Sequence, residues 1–313
     1  MSARSTIQPM PLHICTPLLE SRALPHPGRV WLKMEALQPV GSFKIRGIGL
    51  ACEEAAKQGA KRFISSSGGN AGIAVAYAGR HLAVPVVVVV PETTTERAQS
   101  LIRREGAEVI VRGASWQEAN AYALSLVSDV DAFLHPFDNP QLWRGHASMI
   151  DEVAQAGVTP DAVVLSVGGG GLLSGVIEGL HRNGWVDVPV IAVETVGADS
   201  YAQSLRGGHR VQLPAISSIA TSLGARQVCE QAFAWSKQHS VQSVVVPDRA
   251  AVAACRRFLN DHRILVEPAC GAALSIVYDN DSAFENYRNT LVIVCGGATA
   301  TLEQLQRWSQ EYP

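Results

Sequence analysis

The sequence is short of several features that would declare a function early. Its six cysteines lie far apart and none forms a C-x-x-C pair, so neither a zinc site nor a small disulfide framework is indicated. It has no cationic run. Twenty-six basic residues are spread against 28 acidic ones, for a net charge of −2, which leaves no electrostatic footprint for nucleic acid or an anionic membrane. Long apolar runs are missing as well, and none approaches the ~20 residues of a membrane-spanning helix. The opening residues Met1 to Ile7 contain no apolar signal core, so the expected location is the cytoplasm, where the cysteines stay reduced. The pattern G-x-x-x-x-G-K-[ST] is absent, which removes a P-loop nucleotide site.

What is present is a chain of 313 residues, 47% hydrophobic, long enough for one large or two medium cores and most simply divided into two lobes. Short β-rich runs are read at Arg29 to Glu35, Arg62 to Ser66, Pro85 to Val90, Glu108 to Val111, Ala162 to Val167, Pro189 to Val193, Ser243 to Val246 and Leu291 to Val294. Helix-length stretches such as Ala71 to Leu82, Thr94 to Glu105, Ser115 to Val127 and Leu172 to Asn183 lie between them. A run such as residues 86 to 90, all valine, is apolar on both faces, as a strand must be when helices cover both sides of a parallel sheet. The expected class is therefore α/β. Lobe boundaries are expected in short turns near Pro39 to Gly41 and Asp138 to Pro140.

In such folds ligands gather at the carboxyl ends of strands, and three loops there are unusual. The first runs from Gln38 through Gly41 into Ser42, Phe43 and Lys44. Ser42 is expected as a helix N-cap with Lys44 in the first turn, where exposed N–H groups and burial both disfavour an ammonium and so release a nucleophilic amine. Taken alone, a lysine at a helix start is more often simply solvated. The second loop, Ser65-Ser66-Ser67-Gly68-Gly69-Asn70-Ala71-Gly72, lets a ligand approach the backbone and turns N–H groups toward an anion such as a carboxylate. It also reads as a tight turn with Ser67 or Asn70 as a cap. The third is Gly168-Gly169-Gly170-Gly171, after the strand ending at Val167 and before the helix beginning Leu172-Leu173-Ser174. Four successive glycines at a helix start suit a phosphate monoester. A dinucleotide reading competes, since Gly169, Gly171 and Ser174 approximate G-x-G-x-x-G and Glu194 ends the next strand as a ribose-binding acid would, but the third glycine is missing.

These loops, together with Gly145-His146-Ala147-Ser148, Val266-Glu267-Pro268-Ala269-Cys270-Gly271-Ala272-Ala273 and Val294-Cys295-Gly296-Gly297, closely resemble the serine and threonine dehydratases of the tryptophan-synthase-like, fold type II pyridoxal-phosphate family. The resemblance covers nearly the whole chain. It implies two open parallel-sheet α/β domains, residues 1–38 with 140–313 forming the larger and 39–139 the smaller, with pyridoxal 5'-phosphate in the cleft between them. It further implies that Lys44 carries the cofactor as a Schiff base, that Phe43 packs on the cofactor ring, and that Asn70 bonds its phenolic oxygen. Gly168, Gly169, Gly170, Gly171 and Leu172 would hold the phosphate, and Cys295 would face the pyridine nitrogen. Ser66, Ser67, Gly68, Asn70 and Ala71 would bind the substrate carboxylate. Glu194, Ala198 and Ser200 stand where family members bind a monovalent cation, expected here to be potassium.

The activity implied is β-elimination of water from L-serine or L-threonine, with Lys44 as general base, giving pyruvate or 2-oxobutanoate plus ammonia. The resemblance assigns the acid for the leaving hydroxyl to the cofactor phosphate. A thiol at Cys295 cannot stabilise a charged pyridinium as a carboxylate would, which favours prompt elimination. Related serine racemases place a serine before the Gly-Asn pair, where this chain has Gly68, so racemisation is expected to be slow. Other fold type II β-eliminases, a racemase-like enzyme and a catalytically silent binder of an amino acid or the cofactor are the alternatives. The partners expected are a small amino acid and a second copy of the chain in a homodimer.

Overall fold

The computed structural model describes residues 10–283 and 286–312. The chain opens with strand β1 (Leu18–Ser21) and β2 (Arg29–Lys33), then helix α1 (Lys44–Lys57). There follow β3 (Arg62–Ser65), α2 (Asn70–Leu82), β4 (Val86–Val90), α3 (Glu96–Arg104), β5 (Glu108–Val111), α4 (Trp116–Ser125) and β6 (Asp131–Phe133). The second half contains α5 (Pro140–Gln155), β7 (Ala162–Ser166), α6 (Gly171–Arg182), β8 (Val190–Thr195), α7 (Ser200–Gly207), α8 (Glu230–Trp235) and β9 (Val241–Val246). It closes with α9 (Asp248–His262), α10 (Pro268–Tyr278), β10 (Asn289–Ile293) and α11 (Leu302–Glu311).

The strands form two sheets. Four make the smaller, in the order β5-β4-β3-β6, and all of its pairings are parallel. Six make the larger, in the order β1-β2-β10-β7-β8-β9, parallel throughout except where β1 runs antiparallel to β2. All strands of the smaller sheet lie between Arg62 and Phe133, within the segment 39–139.

The valine run shows why these residues make a strand buried on both sides. Val86, Val88 and Val90 pack with Ile73, Ala74 and Ile102 on one face, and Val87 and Val89 pack with Ala119 and Ala123 of α4 on the other. Side chains alternate faces along a strand, so a run of β-branched residues fills both layers at once. The larger sheet is enclosed in the same way, with β7 and β8 buried along their whole length. No helix among the described residues is long and apolar enough to cross a membrane.

Two strands, β1 and β6, were not expected from the sequence. Both are sheet edges, and β6 has only three residues. The strands that were expected agree with the structure to within about two residues at each end, the usual uncertainty of element boundaries.

Candidate active site

The carboxyl ends of β3 in the smaller sheet and of β2, β7 and β10 in the larger carry the loops singled out above. Residues 41–43 do not form the cap that the sequence suggests. The peptide N–H of Phe43 donates to the Cys295 carbonyl at 3.0 Å, Gly297 N–H donates to the Gly41 carbonyl at 3.0 Å, and Ser42 bridges Gly296. Phe43 therefore takes the cap position in a helical conformation, φ −55° and ψ −19°, and no side chain caps the helix. The Ser42 hydroxyl is buried and makes no hydrogen bond. The expectation that Ser42 caps α1 is corrected for a simple reason: the chain after β10 has captured the backbone that a cap would need.

Lys44 is the first residue of α1. Its Nζ donates to the Pro136 carbonyl at 2.7 Å and lies 5.1 Å from the centroid of the Phe43 ring. Burial pushes the ammonium down to about 8, while Cys295, Glu267 and Cys229 pull weakly in the opposite direction. An amine in this state is substantially neutral just above neutral pH and able to act as nucleophile or base. Phe43 also meets the edge of the buried His146 ring, with centroids 4.8 Å apart.

In the second loop, Ser66 is buried and its hydroxyl donates to Asn120 Oδ1 at 2.7 Å. The proton of this hydroxyl thus points into the smaller lobe. The Gly69 amide donates to Ser67 Oγ at 3.4 Å. The amides of Asn70, Ala71 and Gly72 open α2 and have no acceptor within the helix, as in every helix start. The Asn70 side chain is buried; its Nδ2 donates to Glu267 Oε1 at 2.8 Å, and its Oδ1 has no partner. A Cβ at Gly68 would lie 2.7 Å from both Cγ2 and Oγ1 of Thr94.

The tetraglycine loop is threaded through a tight passage. Gly170 adopts φ +89°, which suits only glycine well. A Cβ on Gly169 would fall 2.3 Å from the Phe137 ring, and one on Gly168 3.0 Å from Leu223 Cα. The loop delivers the first amides of α6, together with the buried Leu172, next to residues 136–137, whose Pro136 carbonyl holds Lys44. A helix N-terminus with free amides favours an anion. Cys295, just beyond β10, is buried, and its thiol is pushed well above the ordinary range by a hydrogen bond with Cys270 and by burial. It is a neutral thiol.

Glu194 lies at the end of β8, fully buried. Its two oxygens accept from the amides of Tyr201 and Ala202 at 2.8 and 2.7 Å, so it caps α7. Burial nevertheless pushes its carboxyl up to about 8. The ribose-binding acid of the dinucleotide reading would need an accessible carboxylate, and Glu194 offers none. Ala198 and Ser200 stand beside it in the turn into α7, both fully buried, and Ser200 Oγ has no partner.

The sequence reading missed Glu267, Thr299 and Thr94. Glu267 stood inside a quoted motif without a role, because its partner Asn70 is 197 residues away.

A lysine with a lowered pKa, a buried amide with an unpartnered oxygen, and a glycine-lined helix start together fit an aldehyde that carries a phosphate. In agreement with that geometry, residues 10–296 match the model of the pyridoxal-phosphate dependent enzymes, and the chain belongs to that family, with the two-sheet α/β architecture of its fold type II members. Within the family, the L-serine dehydratase of Dictyostelium discoideum is 45% identical over 97% of this chain and 93% of its own. The L-serine dehydratase/L-threonine deaminase of Homo sapiens is 46% identical over 96% of each chain. The solved structure of a fungal L-serine ammonia-lyase from Rhizomucor miehei superposes with a TM-score of 0.91 at 36% identity, covering 97% of this chain and 100% of that one.

Proposed function

We propose that this chain is a pyridoxal-phosphate-dependent ammonia-lyase acting on L-serine and L-threonine, releasing pyruvate or 2-oxobutanoate and ammonia. The observation that carries the reading is Lys44, an amine with its pKa lowered to about 8, held where the helix start behind the tetraglycine loop and the end of β10 converge. The named relatives support the substrate class.

In this reading Lys44 would be the attachment point, the α6 amides with Gly168, Gly169, Gly170, Gly171 and Leu172 would hold the phosphate, and Phe43, Asn70 and Cys295 would line the place of the ring. When bound, the cofactor supplies an electron sink for the substrate's Cα. The residues of the chain do the rest. The amides of the loop from Ser66, Ser67 and Gly68 to Asn70 and Ala71 bind the substrate carboxylate and orient Cα. Lys44 Nζ would remove the Cα proton as general base. Cys295, held as a neutral thiol, would offer a bound ring no charged partner.

A monovalent cation near Glu194, Ala198 and Ser200 belongs to the same proposal, with potassium as the candidate. Glu194 is buried and caps α7, and a cation would keep its carboxylate ionised against the cost of burial. Homodimer assembly is inferred from the family resemblance, and residence in the cytoplasm from the scattered, unpaired cysteines.

The test is keto-acid release from L-serine, L-threonine and D-serine by the purified protein with pyridoxal phosphate, in potassium and in a potassium-free buffer. Pyruvate from L-serine, lost in Lys44→Ala, is the expected result. Cofactor uptake without keto acid would refute the substrate assignment, and turnover by Lys44→Ala would refute the role of the lysine. Equal rates in the two buffers would remove potassium.

A further inference from the structure

Glu267 precedes α10 at the position where a side chain ordinarily turns back to cap its own helix, and it does not do so. Its backbone is pinned instead. Its N–H donates to the Gly296 carbonyl at 3.3 Å, and its carbonyl accepts from Cys270 and Gly271 at 2.9 and 3.0 Å. The side chain, 5% exposed, leaves the larger sheet's elements and meets α2 of the smaller one. Oε1 accepts from Asn70 Nδ2 at 2.8 Å, and Oε2 accepts from Thr299 Oγ1 at 3.0 Å. Both oxygens are thus engaged, by Asn70 and Thr299, and Ser222 also hydrogen-bonds the carboxyl.

An asparagine amide can be presented either way round, with nitrogen or oxygen at a given point. Here one orientation is enforced. The carboxylate oxygen facing Asn70 only accepts, so a reversed amide would set Oδ1 against Oε1 with no hydrogen between them. Burial pushes the Glu267 carboxyl up, while hydrogen bonds from Ser222, Thr299 and Asn70 and the charge of Lys44 oppose that shift; a proton on Oε1 would donate to a reversed amide, so it is the ionised carboxylate that sets the orientation. Nδ2 carries two hydrogens and spends one on Glu267, while Oδ1 remains unpartnered. Asn70 therefore has one donor and one acceptor to offer a ligand, in places set by Glu267.

We propose that Glu267 is the positioning residue that fixes the orientation of the Asn70 amide, so that it presents its nitrogen, a donor, rather than its oxygen, an acceptor, to the bound cofactor. This rests on the proposed cofactor site but does not depend on which amino acid the enzyme consumes. Glutamine at 267 has the same shape, yet it can offer its own amide nitrogen to Asn70 and accommodate either orientation. Glu267→Gln removes the orienting constraint and leaves the packing in place.

The experiment is a double-mutant cycle of wild type, Glu267→Gln, Asn70→Ala and the double variant. Its readouts are equilibrium titration of the apo-protein with pyridoxal phosphate, the position of the visible absorption band, and the thermal midpoint of the apo-protein. Glu267→Gln is expected to weaken cofactor binding about fivefold or more and to shift the band, since one hydrogen bond to a charged group is lost or misdirected. The midpoint should stay close to that of wild type. In the Asn70→Ala background the same substitution should have little further effect on affinity or band. An unchanged affinity and band in Glu267→Gln would overturn the proposal. So would an equal loss in both backgrounds, since Glu267 would then act without Asn70. Cofactor uptake by wild type without keto-acid release would count against the substrate reading while leaving this cycle readable.

Discussion

Placing a single methyl group on Gly68 tests how closely the carboxylate loop is fitted to its neighbour. The Cβ of Gly68→Ala would stand 2.7 Å from Thr94 Cγ2, 2.7 Å from Thr94 Oγ1 and 3.3 Å from Thr94 Cβ, against ~3.5–4.0 Å for a comfortable contact. Thr94 has little room to retreat. Its N–H donates to the Pro91 carbonyl at 3.0 Å, and its carbonyl accepts from Gln99 Nε2 at 2.9 Å. Rotation about χ1 cannot clear the space either. A threonine has two heavy atoms for three staggered positions, and two of those positions face Gly68, so at least one heavy atom always remains there. The strain must move the loop. Overpacking of this kind costs roughly 1–3 kcal/mol, which in a chain of this size lowers the thermal midpoint by about 2–5 °C. A loop displaced by a fraction of an ångström should also lower kcat/KM for L-serine by about tenfold or more, because the amides of Asn70 and Ala71 move with it. Thr94→Ala removes the two atoms at 2.7 Å, so the double variant should recover most of the loss, with a coupling of about 1 kcal/mol or more. Thermal scans and keto-acid assays on the four proteins measure this. A Gly68→Ala protein that melts and turns over like wild type, or losses that simply add in the double variant, would refute the steric reasoning.

Two further outcomes are expected. Capture of pyridoxal phosphate by the apo-protein requires the neutral amine of Lys44, whose pKa is lowered to about 8; the ammonium dominates below that value, so the capture rate should climb as pH rises through about 8, and a rate that is flat or falls there by stopped-flow absorbance would contradict the lowered pKa. Ser66→Ala deletes the donor to Asn120 Oδ1 and should cost about 1 kcal/mol of stability while leaving the KM for L-serine nearly unchanged, because the carboxylate is bound by loop amides; a large rise in KM without loss of stability would place the hydroxyl on the substrate instead.

Much of the fold was legible because it is written in short-range pattern. A strand such as β4 carries its burial on both faces in its composition, and the glycine and asparagine loops declare backbone geometry that other residues resist. The two edge strands were silent for the opposite reason: β1 has a half-exposed pattern with no alternation, and β6 is too short to show a period. At the site, Lys44 and the tetraglycine could be singled out from their own neighbours. The true setting of Ser42 and the partnership of Glu267 with Asn70 could not, since both depend on contacts between residues hundreds of positions apart. Local capping rules gave Ser42 a role that a long-range backbone contact took away.

The pinning of residues 41–43 by residues 295–297 also has a consequence in time. Strand β10 sits in the interior of the larger sheet, between β2 and β7, although it is the last strand in chain order. On the ribosome, Lys44 emerges long before the segment that gives it its surroundings, and loop closure over about 250 residues is a slow event. Until β10 inserts, residues 41–43 lack the Cys295 and Gly297 backbone partners that pin the start of α1 beside Lys44. A chain stalled before residue 289 would carry all of the lysine's local sequence without the backbone partners that the segment after β10 supplies to residues 41–43.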